Sequence, residues 1–229
     1  MWNLGVGILA DSGDCADLVR WLAHPGIAGV TTNPTLLRQN GGTVEDLLAT
    51  VAPHLGGRPI SVYPVAPSHD GLLRRAGRLR SSYPNVFIKV PVVDRDGVSN
   101  EALLEKLAAD GQRLNVTAVH DTAQARIAEE TTRSAPERVV SVFAGRLADS
   151  GRDPVAAVAA VCRALAGCRD LQVVWASSRQ VYDAELARRA GCGLVTIPTA
   201  VLGRADIWGH DAGAMARLAV RQFEEAAGG

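Results

Sequence analysis

Short apolar runs rich in Val and Ile alternate with longer segments of helical period along the sequence, and this alternation restricts the fold more than any other feature. The runs read as strands at 5–11 (GVGILAD), 27–33 (IAGVTTN), 59–65 (PISVYPV), 85–91 (NVFIKVP), 113–119 (RLNVTAV), 138–145 (RVVSVFAG), 171–177 (LQVVWAS) and 193–198 (GLVTIP). Between them, helices are expected at 14–24, 34–39, 43–55, 68–82, 99–110, 121–134, 153–167 and 178–190, followed by one near 199–206 and another near 211–227. Thr43 and Asp46 stand in capping-box positions. Apart from its lysine, the fourth run is continuously apolar, as a strand covered on both faces should be.

Eight βα units without a Pro/Ser-rich linker or a charge run between them fit one closed (β/α)₈ TIM barrel, a single domain over 1–229 with an additional C-terminal helix at about 211–227. An open doubly wound sheet shares the alternation, but the strand count favours the barrel. The length of 229 residues and the 47% hydrophobic content allow a core of that size.

Lys and Arg together balance Asp and Glu at 24 each, so no overall field gathers nucleic acid or an anionic membrane, and neither is expected as a partner. No apolar run approaches the roughly 18 residues of a membrane span, and the start lacks a secretory pattern, so a cytoplasmic location is expected. Cys15, Cys162, Cys168 and Cys192 have no metal-ligand spacing and read as reduced thiols. No metal is expected.

Two motifs are set aside. Gly5-Val-Gly7 imitates a dinucleotide fingerprint, but that fingerprint must follow a strand, and only four residues precede it. Asn115-Val-Thr117 is formally a glycosylation sequon inside a buried strand.

Barrel chemistry sits at the C-terminal ends of the strands, and nearly every strand here ends in polar residues. They are Asp11, Thr31 with Asn33, Lys89, Asn115 with Thr117 on one face, Ser141, Arg146, Ser177, Arg179 and Thr196. Each has a plainer use: Asp11 and Asn33 as helix caps, Ser141 and Thr196 bonded to backbone, the arginines as solvated loop charges. Lys89 differs, because an ammonium between Ile88 and Val90 cannot snorkel and costs several kcal/mol to bury unpaired. Either it is a neutral amine available for Schiff-base chemistry, or it forms an internal salt bridge with a carboxylate such as Asp11. The only other lysine, Lys106, reads as an exposed helix residue.

These residues resemble the transaldolase family, including its short fructose-6-phosphate aldolase branch. Gly29-Val-Thr-Thr-Asn-Pro-Thr35 resembles GVTTNPS, Val86-Phe-Ile-Lys-Val-Pro91 resembles VVVKVP, and Leu114-Asn-Val-Thr117 with Gln124-Ala125 resembles NVTLVFSxxQA. Ser141-Val-Phe-Ala-Gly-Arg146 is similar to SPFVGR, and Ala176-Ser-Ser-Arg179 to ASFR. The resemblance implies a barrel needing no cofactor, acting on sugar phosphates of the pentose phosphate kind. In it Lys89 forms the imine, Asp11 is acid and base, and Thr117 belongs to the catalytic group. Asn33, Asn115 and Ser141 hold the dihydroxyacetone moiety, Thr31 joins them at the substrate, and Arg146, Arg179 and Ser177 hold phosphate. The short branch forms rings by helix exchange, so a homo-oligomer is expected.

The sequence also departs from the pattern. Tyr63 stands where the family has Glu or Gln beside a proton-relaying water, and a phenol is a poor base at neutral pH. Val142 replaces Pro, Ser178 replaces Phe, and His120 replaces an aromatic near the rim, which implies an altered acceptor pocket. Phe143 is the residue of transaldolases, where the aldolase branch has a Tyr whose hydroxyl helps release free dihydroxyacetone. Transfer of the unit is therefore expected, with aldolase-like cleavage as the alternative.

Overall fold

A computed structural model describes residues 5–168 and 170–228. Its elements run β1 (Gly7–Asp11), α1 (Cys15–Leu22), β2 (Ile27–Thr31), α2 (Pro34–Gln39), α3 (Val44–Val51), β3 (Ile60–Val62), α4 (His69–Ser82), β4 (Val86–Pro91), α5 (Glu101–Ala109) and β5 (Arg113–Val119). They continue α6 (Thr122–Thr131), β6 (Arg138–Phe143), α7 (Ala144–Asp149), α8 (Pro154–Ala164), β7 (Leu171–Ala176), α9 (Asp183–Ala190), β8 (Leu194–Pro198), α10 (Thr199–Leu202) and α11 (Ala212–Ala226). All eight strands are parallel and paired in chain order, and β8 returns to β1 with Pro198 opposite Asp11, so the sheet closes. The fold is a (β/α)₈ barrel.

The period of two along each strand divides the residues between two environments. Ile8, Ile60, Ile88, Leu114, Val140, Trp175 and Ile197 belong to the core between strands and helices, meeting Leu18, Leu47, Leu104, Leu107 and Val161. Opposite parity faces the barrel axis. Low in the barrel this parity supplies the apolar Leu9, Phe87 and Leu194; toward the C-terminal ends it supplies Asp11, Thr31, Lys89, Asn115, Thr117, Ser141 and Thr196. Hydrogen bonds span non-adjacent strands through this interior, from Asn115 Nδ2 to Ser61 Oγ at 3.1 Å and between the Thr31 and Thr196 hydroxyls at 2.6 Å.

Helix starts follow the expected capping chemistry. The side chains of Asp14, Asn33, Thr43, Ser68, Asp121, Asp153 and Asp211 each accept from backbone N–H groups of the following turn. Thr43 and Asp46 form the expected capping box.

Three expectations are corrected. The sixth strand stops at Phe143 rather than 145, and α7 follows at once, so Arg146 lies on a helix and not in a loop. Six residues are too few for a helical period to stand out in sequence. The helix expected from 178 begins at Asp183, because the Asp183 carboxylate accepts from the backbone N–H of Arg179 at 2.6 Å and of Gln180 at 3.1 Å, holding 178–182 as a turn. The segment at 199–206 is divided into α10 and a 3₁₀ turn at Ala205–Ile207. Among the described residues no helix is long and apolar enough to cross a membrane.

Candidate functional site

At the C-terminal mouth of the barrel lies a cavity of about 520 Å³ whose wall includes Asp11, Asn33, Lys89, Thr117, Ser141, Phe143, Arg146, Ser177 and Arg179. Seven segments distant in sequence thus meet at one mouth, contributed by every strand except β3 or by the chain just beyond it. The opposite mouth has a cavity of about 440 Å³, reached from within by the apolar Leu9, Phe87, Val139 and Leu194.

Lys89 and Asp11 line the cavity at the C-terminal mouth. Lys89 is 9% exposed, and its Nζ donates to the Thr32 carbonyl at 3.0 Å. It is not ion-paired to Asp11. Burial pulls the Lys89 ammonium below its ordinary value of 10.5, while the charge of Asp11 opposes that shift. The Asp11 carboxyl is pushed above its ordinary 3.8, again chiefly by burial, with Lys89 and a hydrogen bond from Thr31 Oγ1 opposing. That bond is 2.6 Å long. Both groups are therefore biased toward neutrality: the lysine toward a nucleophilic amine, the carboxyl toward a form that can give or take a proton. Of the two readings left open for Lys89, the structural salt bridge to Asp11 does not occur.

The wall behind them is a hydrogen-bonded relay. Ser141 Oγ donates to Asn115 Oδ1 at 2.8 Å, and Asn115 Nδ2 donates to Ser61 Oγ, so fully buried Asn115 is oriented from both ends. Thr117, two residues further along β5, has a buried Oγ1 without a partner and lines the cavity. The strand is turned there by Ala118, whose φ of 59° marks a bulge between Val116 and Val119. Asn33 caps α2 through Oδ1, which accepts from Thr35 and Leu36, and this leaves its amide N–H₂ uncommitted at the cavity wall. Asp11 caps nothing; Asp14 is the cap of α1.

On the rim, α7 and the turn after β7 are in van der Waals contact. A Cβ on Gly145 would lie 1.8 Å from the Ser177 carbonyl oxygen, so only glycine permits this approach, and Ser177 itself takes φ of 64°. Arg146 and Arg179, which follow the two contacting residues closely in the chain, both line the cavity. Phe143 presents its ring there against His120, edge to face at 5.7 Å between centroids. Ser178, buried at 4% exposure, adds a hydroxyl without a partner.

Tyr63 lies apart from this group. It lines a neighbouring depression with Pro67, His69, Pro91 and Asp94, just past the end of β3, rather than the cavity of Lys89 and Asp11. The strand expected to run to 65 stops at Val62, and the prolines at 64 and 67 carry the chain outward. Sequence reading also passed over Ser61, although its place in PISVYPV gave it the inward parity. Asp183 and Asp149 carried no signal of their own.

The Transaldolase/Fructose-6-phosphate aldolase family matches residues 8–226. The chain belongs to that family. Its relatives include a protein of Pelotomaculum thermopropionicum named "probable transaldolase", 32% identical over 177 residues, 77% of this chain and 78% of that one. Another of the same name, from Desulfitobacterium hafniense, is 31% identical over 196 residues, covering 85% and 87% respectively. Among solved structures, N-acetylneuraminate lyase from Mycoplasma synoviae superposes with a TM-score of 0.56 at 11% identity, covering 99% of this chain and 79% of that one, which speaks to the barrel alone. Membership makes this an enzyme of the transaldolase and aldolase type.

Proposed function

We propose that the protein is a transaldolase that moves a dihydroxyacetone unit from a ketose phosphate to an aldose phosphate through a Schiff base at Lys89. The observation that carries this reading is a buried lysine lining the cavity with its Nζ on the Thr32 carbonyl rather than on a carboxylate, its ammonium disfavoured by burial as the charge of Asp11 on the same wall is.

In this reading the Lys89 amine adds to the ketose C2 carbonyl, and loss of water gives the imine, whose protonated form draws electrons from the C3–C4 bond as it breaks. Asp11 takes the proton of the C4 hydroxyl, and an aldehyde leaves. The unit left on Lys89 is an enamine. It attacks the carbonyl carbon of an incoming aldose phosphate, Asp11 returns the proton, and water releases the new ketose phosphate. Asn33, Asn115 and Ser141 are suited to hold the hydroxyls of the three-carbon unit, with Thr31 keeping Asp11 oriented and Thr117 offering its unpartnered hydroxyl to the water or the imine. Arg146, Arg179 and Ser177 are suited to bind the phosphate, and no metal or other cofactor is called for.

Two features favour transfer over cleavage to free dihydroxyacetone. Phe143 brings a ring and no hydroxyl to the cavity, no tyrosine among the described residues lines it, and Tyr63 lines a different depression. No phenol then stands by the enamine to position a water for its protonation, and it persists until an aldehyde captures it. The test supplies fructose 6-phosphate with and without four- and five-carbon aldose phosphates and follows products by mass. A new seven- or eight-carbon ketose phosphate formed faster than free dihydroxyacetone supports transfer; release of dihydroxyacetone at the same rate without any acceptor makes the protein an aldolase.

A further inference from the structure

Resting on that reading of the rim as a phosphate site, we infer that Asp149 is a built-in counter-ion that offsets one of the two arginine charges and sets how tightly phosphorylated substrates are held. Asp149 is the last residue of α7, one turn beyond Arg146 on the same helix. Its Oδ2 accepts from Arg179 Nη2 at 2.6 Å, and both side chains are a little over half exposed, at 55% and 56%.

The relation is not that of a loose surface pair, because the backbones behind both residues are fixed. The Gly145 contact locks α7 against the Ser177 carbonyl, and Asp183 holds the Arg179 backbone from below. Arg179 therefore reaches over the mouth from an anchored position, and Asp149 meets it from an anchored helix. Arg146 has no ion pair among the described residues.

Asp149 thus offsets one of the two positive charges that Arg146 and Arg179 bring to the rim, while the Asp183 carboxylate is spent on the backbone N–H groups of Arg179 and Gln180. A phosphate approaching Arg179 finds one N–H of the guanidinium already committed and a carboxylate beside it. It must bind through the remaining N–H groups while repelled by Asp149, or displace Asp149 from the pair. Either route weakens binding relative to two unopposed arginines. Asp149 thus sets affinity: it limits how firmly a dianionic group is held at the rim, and it offsets the repulsion between the two cations when the site is empty.

The experiment compares the wild-type chain with Asp149→Asn and Asp149→Glu, measuring the KM for fructose 6-phosphate, kcat, and the affinity for inorganic phosphate by calorimetry. Asp149→Asn should lower the KM and tighten phosphate binding by roughly threefold or more at low salt, with the effect falling on KM rather than kcat. The difference should narrow toward about 1 M salt, where charges a few ångströms apart are screened. Asp149→Glu should stay within about twofold of wild type. Unchanged or weaker phosphate binding in Asp149→Asn, with the wild-type protein binding phosphate in competition with substrate, overturns the counter-ion role alone. A wild-type protein that binds no phosphate, together with an Arg146→Ala variant of unaltered KM, overturns the phosphate site and the counter-ion with it.

Discussion

The carbonyl oxygen of Ser177 occupies the space where Gly145 would carry a side chain, at 1.8 Å from the position of its Cβ. Two connections that leave the barrel from different strands are thereby held in register, and the arginines that follow them converge. Gly145→Ala should force α7 and the turn after β7 apart, since the atom met is backbone and cannot rotate away. A stability loss of about 1–3 kcal/mol is expected, with a rise of tenfold or more in the KM for phosphorylated substrates. Thermal unfolding and steady-state kinetics check both, and a variant with wild-type KM would mean that the contact does not position the arginines.

The mutual influence of Asp11 and Lys89 makes a prediction with a definite sign. Burial lowers the Lys89 pKa and the Asp11 charge raises it, so removing that charge should lower it further. Imine formation needs the free amine and should grow with pH through a midpoint below 10.5. In Asp11→Asn the midpoint of borohydride trapping should move to lower pH, while turnover falls by two to four orders of magnitude, about what loss of a general acid–base removes. A midpoint displaced upward would contradict the electrostatic account.

None of the residues of α11 is buried, and Phe223 on it is 73% exposed, with Met215 at 40% and Val220 at 51%. An apolar stripe of this kind on the end of the chain is suited to a second copy of the same protein. The expected outcome is a homo-oligomer by light scattering at micromolar concentration, converted to smaller species by Phe223→Glu without loss of the barrel's circular dichroism signal. A monomeric mass for the wild-type chain would rule it out.

Much of this was legible in the sequence for a simple reason. Strands covered on both faces are apolar throughout, so Lys89 in VFIKVP and Asn115 in RLNVTAV stood out as polar atoms whose burial needed a purpose. Parity then put Thr117 on one face with Asn115, and Ser141 stood out as a polar residue near a strand end. What escaped was set by tertiary contact. Tyr63 has the inward parity of Ser61, yet β3 ends one residue earlier and the chain turns away, which periodicity does not record. Asp183 read as one more helix residue, although its carboxylate holds the Arg179 turn, and the pairing of Asp149 with Arg179 joins residues 30 apart that no local pattern connects.

The central claim is that Lys89 carries the substrate covalently, and the most direct measurement is the mass of the peptide containing it after incubation with fructose 6-phosphate and reduction by borohydride. The account predicts a dihydroxyacetone-derived addition on Lys89, absent without sugar and absent in Lys89→Ala, which should also lose turnover. Labelling at another residue, or turnover that survives in Lys89→Ala, would contradict it.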